Sequence, residues 1–214
     1  MSATPSPLGR RAVVLGVPLV LGLLEVGHTA LVPGDNIFAT LAPITAWWTA
    51  LHVAQIPLFA LLGLAAFLLV RDLDSRAARL SRRLIPIFAV VYPAFDAAVG
   101  VSSGIIVHTL APLPAEQQAA VEPGLQALFW GPVTGMMALV GSVTWAVALL
   151  AAALAWRRAG APLFVVAALA LSGLVLGVAH IRPFGPLACL FFLIGATWIE
   201  LRGPKATPTR RESA

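Results

Sequence analysis

Six apolar stretches alternate with short polar breaks along the chain, over roughly 12–32, 44–70, 84–110, 125–156, 162–181 and 184–201. A helix needs about 20 predominantly apolar residues to cross a hydrocarbon core. Each stretch meets or approaches that length. The pattern therefore predicts an all-α fold, a polytopic membrane protein built as a six-transmembrane-helix bundle over residues 12–201. The second to fourth stretches exceed the minimum and are expected to tilt or to extend past the headgroups. His180–Pro186 is the only break between the last two, which predicts a tight helical hairpin. Residues 1–11 and 202–214 fall outside the bundle as tails, and their Ser, Thr, Pro and charge predict disorder.

Composition supports this reading. The chain of 214 residues is 59% hydrophobic and 11% charged, with a mean hydropathy of +0.92. A soluble domain of this size carries about 25% charged residues. Too little charge is present to cover a water-facing surface.

Positive charge sets the expected orientation. Arg10 and Arg11 precede the first stretch, and Arg71, Arg76, Arg79, Arg82 and Arg83 separate the second from the third. Arg157 and Arg158 separate the fourth from the fifth, and Arg202, Lys205, Arg210 and Arg211 follow the sixth. If the stretches alternate in direction, all of these lie on one side, which the positive-inside rule makes cytoplasmic. Both termini are then cytoplasmic, and Arg182 is the exception on the outer side. The net charge of +5 would suggest nucleic-acid binding in a soluble protein. Confined to short loops, it reads as orientation. The expected partner is the lipid bilayer, with no nucleic acid. Thirteen arginines against one lysine, with abundant alanine, suggest a GC-rich bacterial genome and hence a plasma membrane. The first stretch resembles a signal peptide in its Arg10–Arg11 start. Its length and its Glu25 and His28 argue for a retained helix. Trp47, Trp48 and Trp130 are expected at the outer interface, and Trp156 and Trp198 at the inner one.

Against this apolar background the ionisable residues stand out. Every histidine, His28, His52, His108 and His180, lies in a membrane-length stretch. At a 1.5 Å rise per residue, all four fall within about 10 Å of the outer boundary. Ionisable side chains inside a membrane are costly and mark bundle interiors, cavities or functional sites. Glu25 and His28 are one turn apart, and Thr45, Trp48, His52 and Gln55 make a polar stripe at spacings of three and four. Tyr92, Asp96, Gly100, Gly104 and His108 recur every four residues, a row that drifts by about 40° per step. Gly100 with Gly104, and Gly173 with Gly177, are small-residue pairs that allow close helix packing. The face analysis favours Glu25, His28 and His52 as the core of a site. His108 and His180 sit shallower, beside proline-ended helices, and are weaker candidates, since capping alone can account for them.

Several histidines and a carboxylate suit a transition metal, and two facing histidines suit a haem. Glu25, His28, His52, His108 and His180 are the candidate metal ligands. His28 with His52, or His108 with His180, are the candidate haem pairs. Arg182 is the candidate partner for a propionate or another anionic group of a cofactor. Asp96, near mid-membrane, is the candidate catalytic or proton-carrying residue. The single cysteine, Cys189, excludes an internal disulfide and reads as a small core residue. No HExxH, GxSxG or glycine-rich phosphate loop occurs. Three function classes follow: a metal- or haem-binding membrane protein acting on a lipid-soluble molecule, a small proton-coupled transporter using Asp96 and the histidines, and an accessory subunit without chemistry.

Overall fold

In the computed structural model, which describes residues 7–203, the chain is all-helical. Six helices follow one another. α1 spans 7–26, with a π turn at Ala12–Gly16, and α2 spans Ile37–Val70. α3 spans Arg76–Leu110, with a π turn at Ala97–Val101, and α4 spans Ala115–Arg158, broken at Gly131. α5 is Leu163–Val178 and α6 is Phe184–Arg202. Among the described residues, α2, α3, α4 and α6 are long and apolar enough to cross a membrane. Each helix packs chiefly on its sequence neighbours, and α6 closes the ring on α1. Lys205, Arg210, Arg211 and the ends of both tails lie outside the described residues.

Large apolar side chains occupy both the inside and the outside of this ring. Leu64, Val90, Leu139 and Leu174 are 42–70% exposed. A water-soluble bundle keeps such residues on one stripe per helix. An outer face this apolar is consistent with residence in a membrane. The middle of the ring is aromatic. Phe59 meets Tyr92 edge-on at 4.9 Å, Phe88 lies 4.5 Å from Trp145, and Trp145 stacks on Phe192 at 6.1 Å.

The two ends of the ring differ. At one end Arg10 donates to Glu200 at 2.8 Å, tying the start of α1 to the end of α6. At the same end the Arg82 guanidinium donates to the Val70 and Leu73 carbonyls at 2.7 and 2.8 Å, capping α2. The Ser75 hydroxyl accepts from the Ala78 amide at 3.1 Å and starts α3. The histidines lie toward the other end.

Element boundaries depart from the sequence pattern in instructive ways. α1 ends at Val26 and not near 32. Beyond it Gly27 takes the Trp47 indole against its backbone, and the Trp47 N–H donates to the Gly27 carbonyl at 3.0 Å. Gly34 has a φ of 100°, which favours glycine and ends any helical path. α2 begins seven residues before 44, because Asn36 accepts from the Ala39 amide at 2.8 Å and Glu122 accepts from the Ile37 and Phe38 amides at 2.9 Å. α4 is broken at Gly131, whose ψ of 162° is extended, so its N-terminal part is a separate rod before Pro132. α5 stops at Val178, three residues early, where Ala179 turns extended. Trp48 and Trp156 are buried inside the bundle, whereas Trp47 and Trp130 are nearly half exposed.

Candidate functional site

The site is built by three segments that reach one depth by different means. His52 stands within α2, on the polar stripe, and Thr45, Trp48, His52 and Gln55 are all buried. His28 lies one residue past the turn that ends α1, in the irregular segment 27–36. His180 lies in the short connection between α5 and α6. Both chain breaks carry an imidazole over the end of the ring and back into it.

The three rings meet. The His28 and His52 centroids are 5.0 Å apart, and those of His28 and His180 are 4.8 Å apart. One ring nitrogen from each lies within 4.8 Å of the others, a grouping able to hold a metal ion. α3 accommodates this by having no side chain at Gly100. A Cβ there would overlap the His52 ring, and one at Gly104 would overlap the Thr49 hydroxyl. The π turn at Ala97–Val101 sits in the same place, and such turns recur at functional sites.

Hydrogen bonds fix which nitrogen each ring offers. His52 Nδ1 is 2.7 Å from the Trp48 carbonyl, and His28 Nδ1 is 2.9 Å from the Thr29 carbonyl. A carbonyl only accepts, so both Nδ1 atoms carry protons, and in the neutral rings both Nε2 atoms carry lone pairs. Those two lone-pair nitrogens face one another at 3.3 Å. Ligands about 2.0–2.1 Å from a tetrahedral metal stand about 3.4 Å apart. His180 completes the set. Its Nδ1 is 3.0 Å from the Tyr92 hydroxyl, and its buried Nε2 has no hydrogen-bond partner. Metal-bound histidines typically have the other ring nitrogen held this way, by a carbonyl or another polar group.

Asp96 borders the triad. Its Oδ1 is 3.6 Å from His180 Nε2 and 3.9 Å from His52 Nε2, and its buried Oδ2 has no hydrogen-bond partner. Glu25 is fully buried, accepts from the Gln55 amide at 2.8 Å, and packs its Cγ where a side chain at Gly185 would be. Its Oε2 is unpartnered. A cavity of about 230 Å³ opens beside the triad, with His52, Asp96 and His180 in its wall.

The other candidate residues stand apart. His108 is exposed on α3, because the buried stripe there runs through Ser103, Gly104 and Val107 and turns His108 outward. It does not pair with His180. Arg182 is exposed at the rim. The geometry of the His28–His52 pair is that of two ligands on one side of an ion. Axial ligands on opposite faces of a haem iron stand about 4 Å apart, twice a metal–imidazole bond, with the macrocycle between the rings. The 3.3 Å contact leaves no such space.

Two contributors were hidden from the sequence. Trp48 reads as an interfacial aromatic. In the fold its carbonyl fixes His52, and its indole donates to the Gly100 carbonyl at 2.8 Å. Its place four residues before His52 is the one available signal, since a ring at i can bond the carbonyl at i−4. Tyr92 reads only as a member of the four-residue row on α3, and in the fold its hydroxyl holds His180.

Compared with known proteins, the chain matches no family model, no curated protein and no solved structure.

Proposed function

We propose that this chain is a multi-pass metalloprotein of a bacterial plasma membrane, with both termini cytoplasmic. His28, His52 and His180 are its metal ligands, held at the end of the bundle away from the cytoplasm. The observation that carries this reading is the 3.3 Å contact between His28 Nε2 and His52 Nε2 when carbonyls hold both Nδ1 protons. Two lone pairs at that distance repel unless a cation or a proton lies between them. The third imidazole favours a cation.

Three neutral imidazoles suit zinc, copper, iron or nickel and leave coordination positions open. Asp96 borders the triad within reach of a fourth ligand or of a water bound there. A metal at this place supplies Lewis-acid or redox chemistry, which suits hydrolysis or oxidation of a lipid-soluble molecule. The first test is elemental analysis of the purified protein. The expected result is about one transition-metal ion per chain, lost in His28→Ala, His52→Ala and His180→Ala and kept in His108→Ala. A folded protein that holds no metal under any loading condition would overturn the reading.

One observation favours a second reading. Asp96 lies against His52 and His180 at the depth of the apolar core, an arrangement suited to passing protons. In a small proton-coupled transporter, Asp96→Asn would abolish pH-driven uptake in proteoliposomes while leaving metal content unchanged.

A further inference from the structure

We propose that the cavity beside the histidines is a binding site for an uncharged, hydroxyl-headed amphiphile from the bilayer, with Asp96 as its anchor. This inference stands on the cavity and on Asp96 and does not need the metal.

The cavity, of about 230 Å³, is apolar along most of its wall, with Phe95, Val99, Phe129 and Ala138 on its sides. Its polar end is made by His52, Asp96 and His180. Asp96 is 1% exposed, and its Oδ2 has no partner within the protein. His180 Nε2 is likewise buried and unpartnered. A buried polar atom left without a partner costs about 1–3 kcal/mol. The unpaired carboxyl oxygen of Asp96, a residue in the wall of an apolar chamber, therefore calls for a ligand group that is small and polar.

The chemistry of that end selects the group. A hydroxyl donates to a carboxylate and still offers its oxygen to a donor or a metal. A ketone or ester carbonyl only accepts and pairs with the Asp96 carboxyl in one protonation state, whereas a hydroxyl pairs with it in both. A carboxylate head loses its hydration among the apolar walls with no cation in the lining to receive it. A pure hydrocarbon fills the walls and pairs nothing. An ammonium head would meet Asp96, but it loses its hydration among apolar walls.

The mouth indicates the route. Val178 and Trp130 line the cavity and are also 70% and 44% exposed, on the outer face of the ring where the other exposed residues are apolar. A ligand reaches the chamber there from the lipid side.

The test uses the purified full-length protein in detergent micelles and 8-bromo-1-octanol as the probe, because bromine quenches the fluorescence of nearby tryptophans such as Trp48 and Trp130. The expected result is a saturable component of quenching. Ala138→Phe and Ser142→Leu, which fill the chamber from α4, should each remove it. Asp96→Ala should weaken it about tenfold, the worth of one hydrogen bond. The probe 8-bromooctanoate should bind at least about tenfold more weakly, because its charge must leave water for an apolar chamber. Quenching that rises linearly with probe and is equal in wild type and Ala138→Phe would overturn the inference, as would octanoate binding as tightly as octanol. Metal content measured on the same samples separates the two proposals. Saturable quenching without metal removes only the metal reading, and metal without saturable quenching removes only this one.

Discussion

Gly100 does more for the site than several of the residues that carry charge. It leaves the space that the His52 ring fills, and its carbonyl takes the Trp48 indole and the Ser103 hydroxyl at 2.8 and 3.0 Å. Gly100→Ala places a methyl group inside the imidazole. The ring must then leave its contact with His28 or the helices must separate, at a cost of about 1–3 kcal/mol. Metal affinity, read by competition with a chromophoric chelator, should fall about 10- to 100-fold, as when a supporting contact of a ligand is lost. Gly135→Ala is the matched control, because nothing lies within 4 Å of a Cβ there. Tyr92→Phe tests the other support. It keeps the aromatic packing on Phe59 and Phe88 and removes only the hydroxyl at His180 Nδ1. A loss of about tenfold or more in metal affinity, with the melting temperature little changed, is the expected outcome. An unchanged affinity would mean that His180 does not depend on this bond.

At the scale of the elements, the apolar periods locate the helices well and their ends poorly. The polar stripe on α2 was legible because a period of three to four needs only the sequence. The site was legible in part: three of the four histidines meet, whereas His108, eight residues beyond the Gly100 that meets His52, stands apart. His108 belongs to the four-residue row with Gly100 and Gly104. The row drifts, the π turn shifts its phase, and only the packing of α3 on α2 decides which side faces inward. His28 and His180 join His52 through breaks in the helices, not along them, and no helical-wheel argument reaches across a break. The early start of α2 was equally hidden, because its cap comes from Glu122, 85 positions away. The closure of α6 on α1 shows the same dependence on distant partners and has a measurable worth. Glu200 has a side chain 7% exposed and receives Arg10 at 2.8 Å, whereas Asp72 is half exposed and lies 3.4 Å from the same guanidinium. Glu200→Gln should destabilise the protein by about 1–2 kcal/mol and Asp72→Asn by less than about 0.5 kcal/mol, read from thermal unfolding in detergent. Equal effects would place the lock at the α2 end and not between α1 and α6.

For the whole molecule the decisive property is polarity from end to end. The hydrogen bond between Arg10 and Glu200 puts the start of α1 and the end of α6 at one end of the ring. Along α2, His52 is 19 residues from Arg71, about 28 Å at 1.5 Å per residue, close to a full hydrocarbon thickness. A basic end and a histidine end thus face opposite sides of any membrane the ring crosses. The orientation proposed above, with the basic end cytoplasmic, puts the histidine end outside, where Arg182 is exposed among few other charges. Single cysteines test this directly in a Cys189→Ala background, which removes the one native thiol from its buried position. Arg182→Cys should react with a membrane-impermeant maleimide in intact spheroplasts. Arg76→Cys, exposed at the basic end, should react only after the membrane is permeabilised. The opposite labelling pattern would turn the molecule over and put the metal site on the cytoplasmic face. Labelling of both from one side would mean that the ring does not span the bilayer as a unit. The same experiment with Arg157→Cys in place of Arg76→Cys checks the α4–α5 connection separately, and it should match Arg76→Cys if the six helices alternate in direction across the membrane.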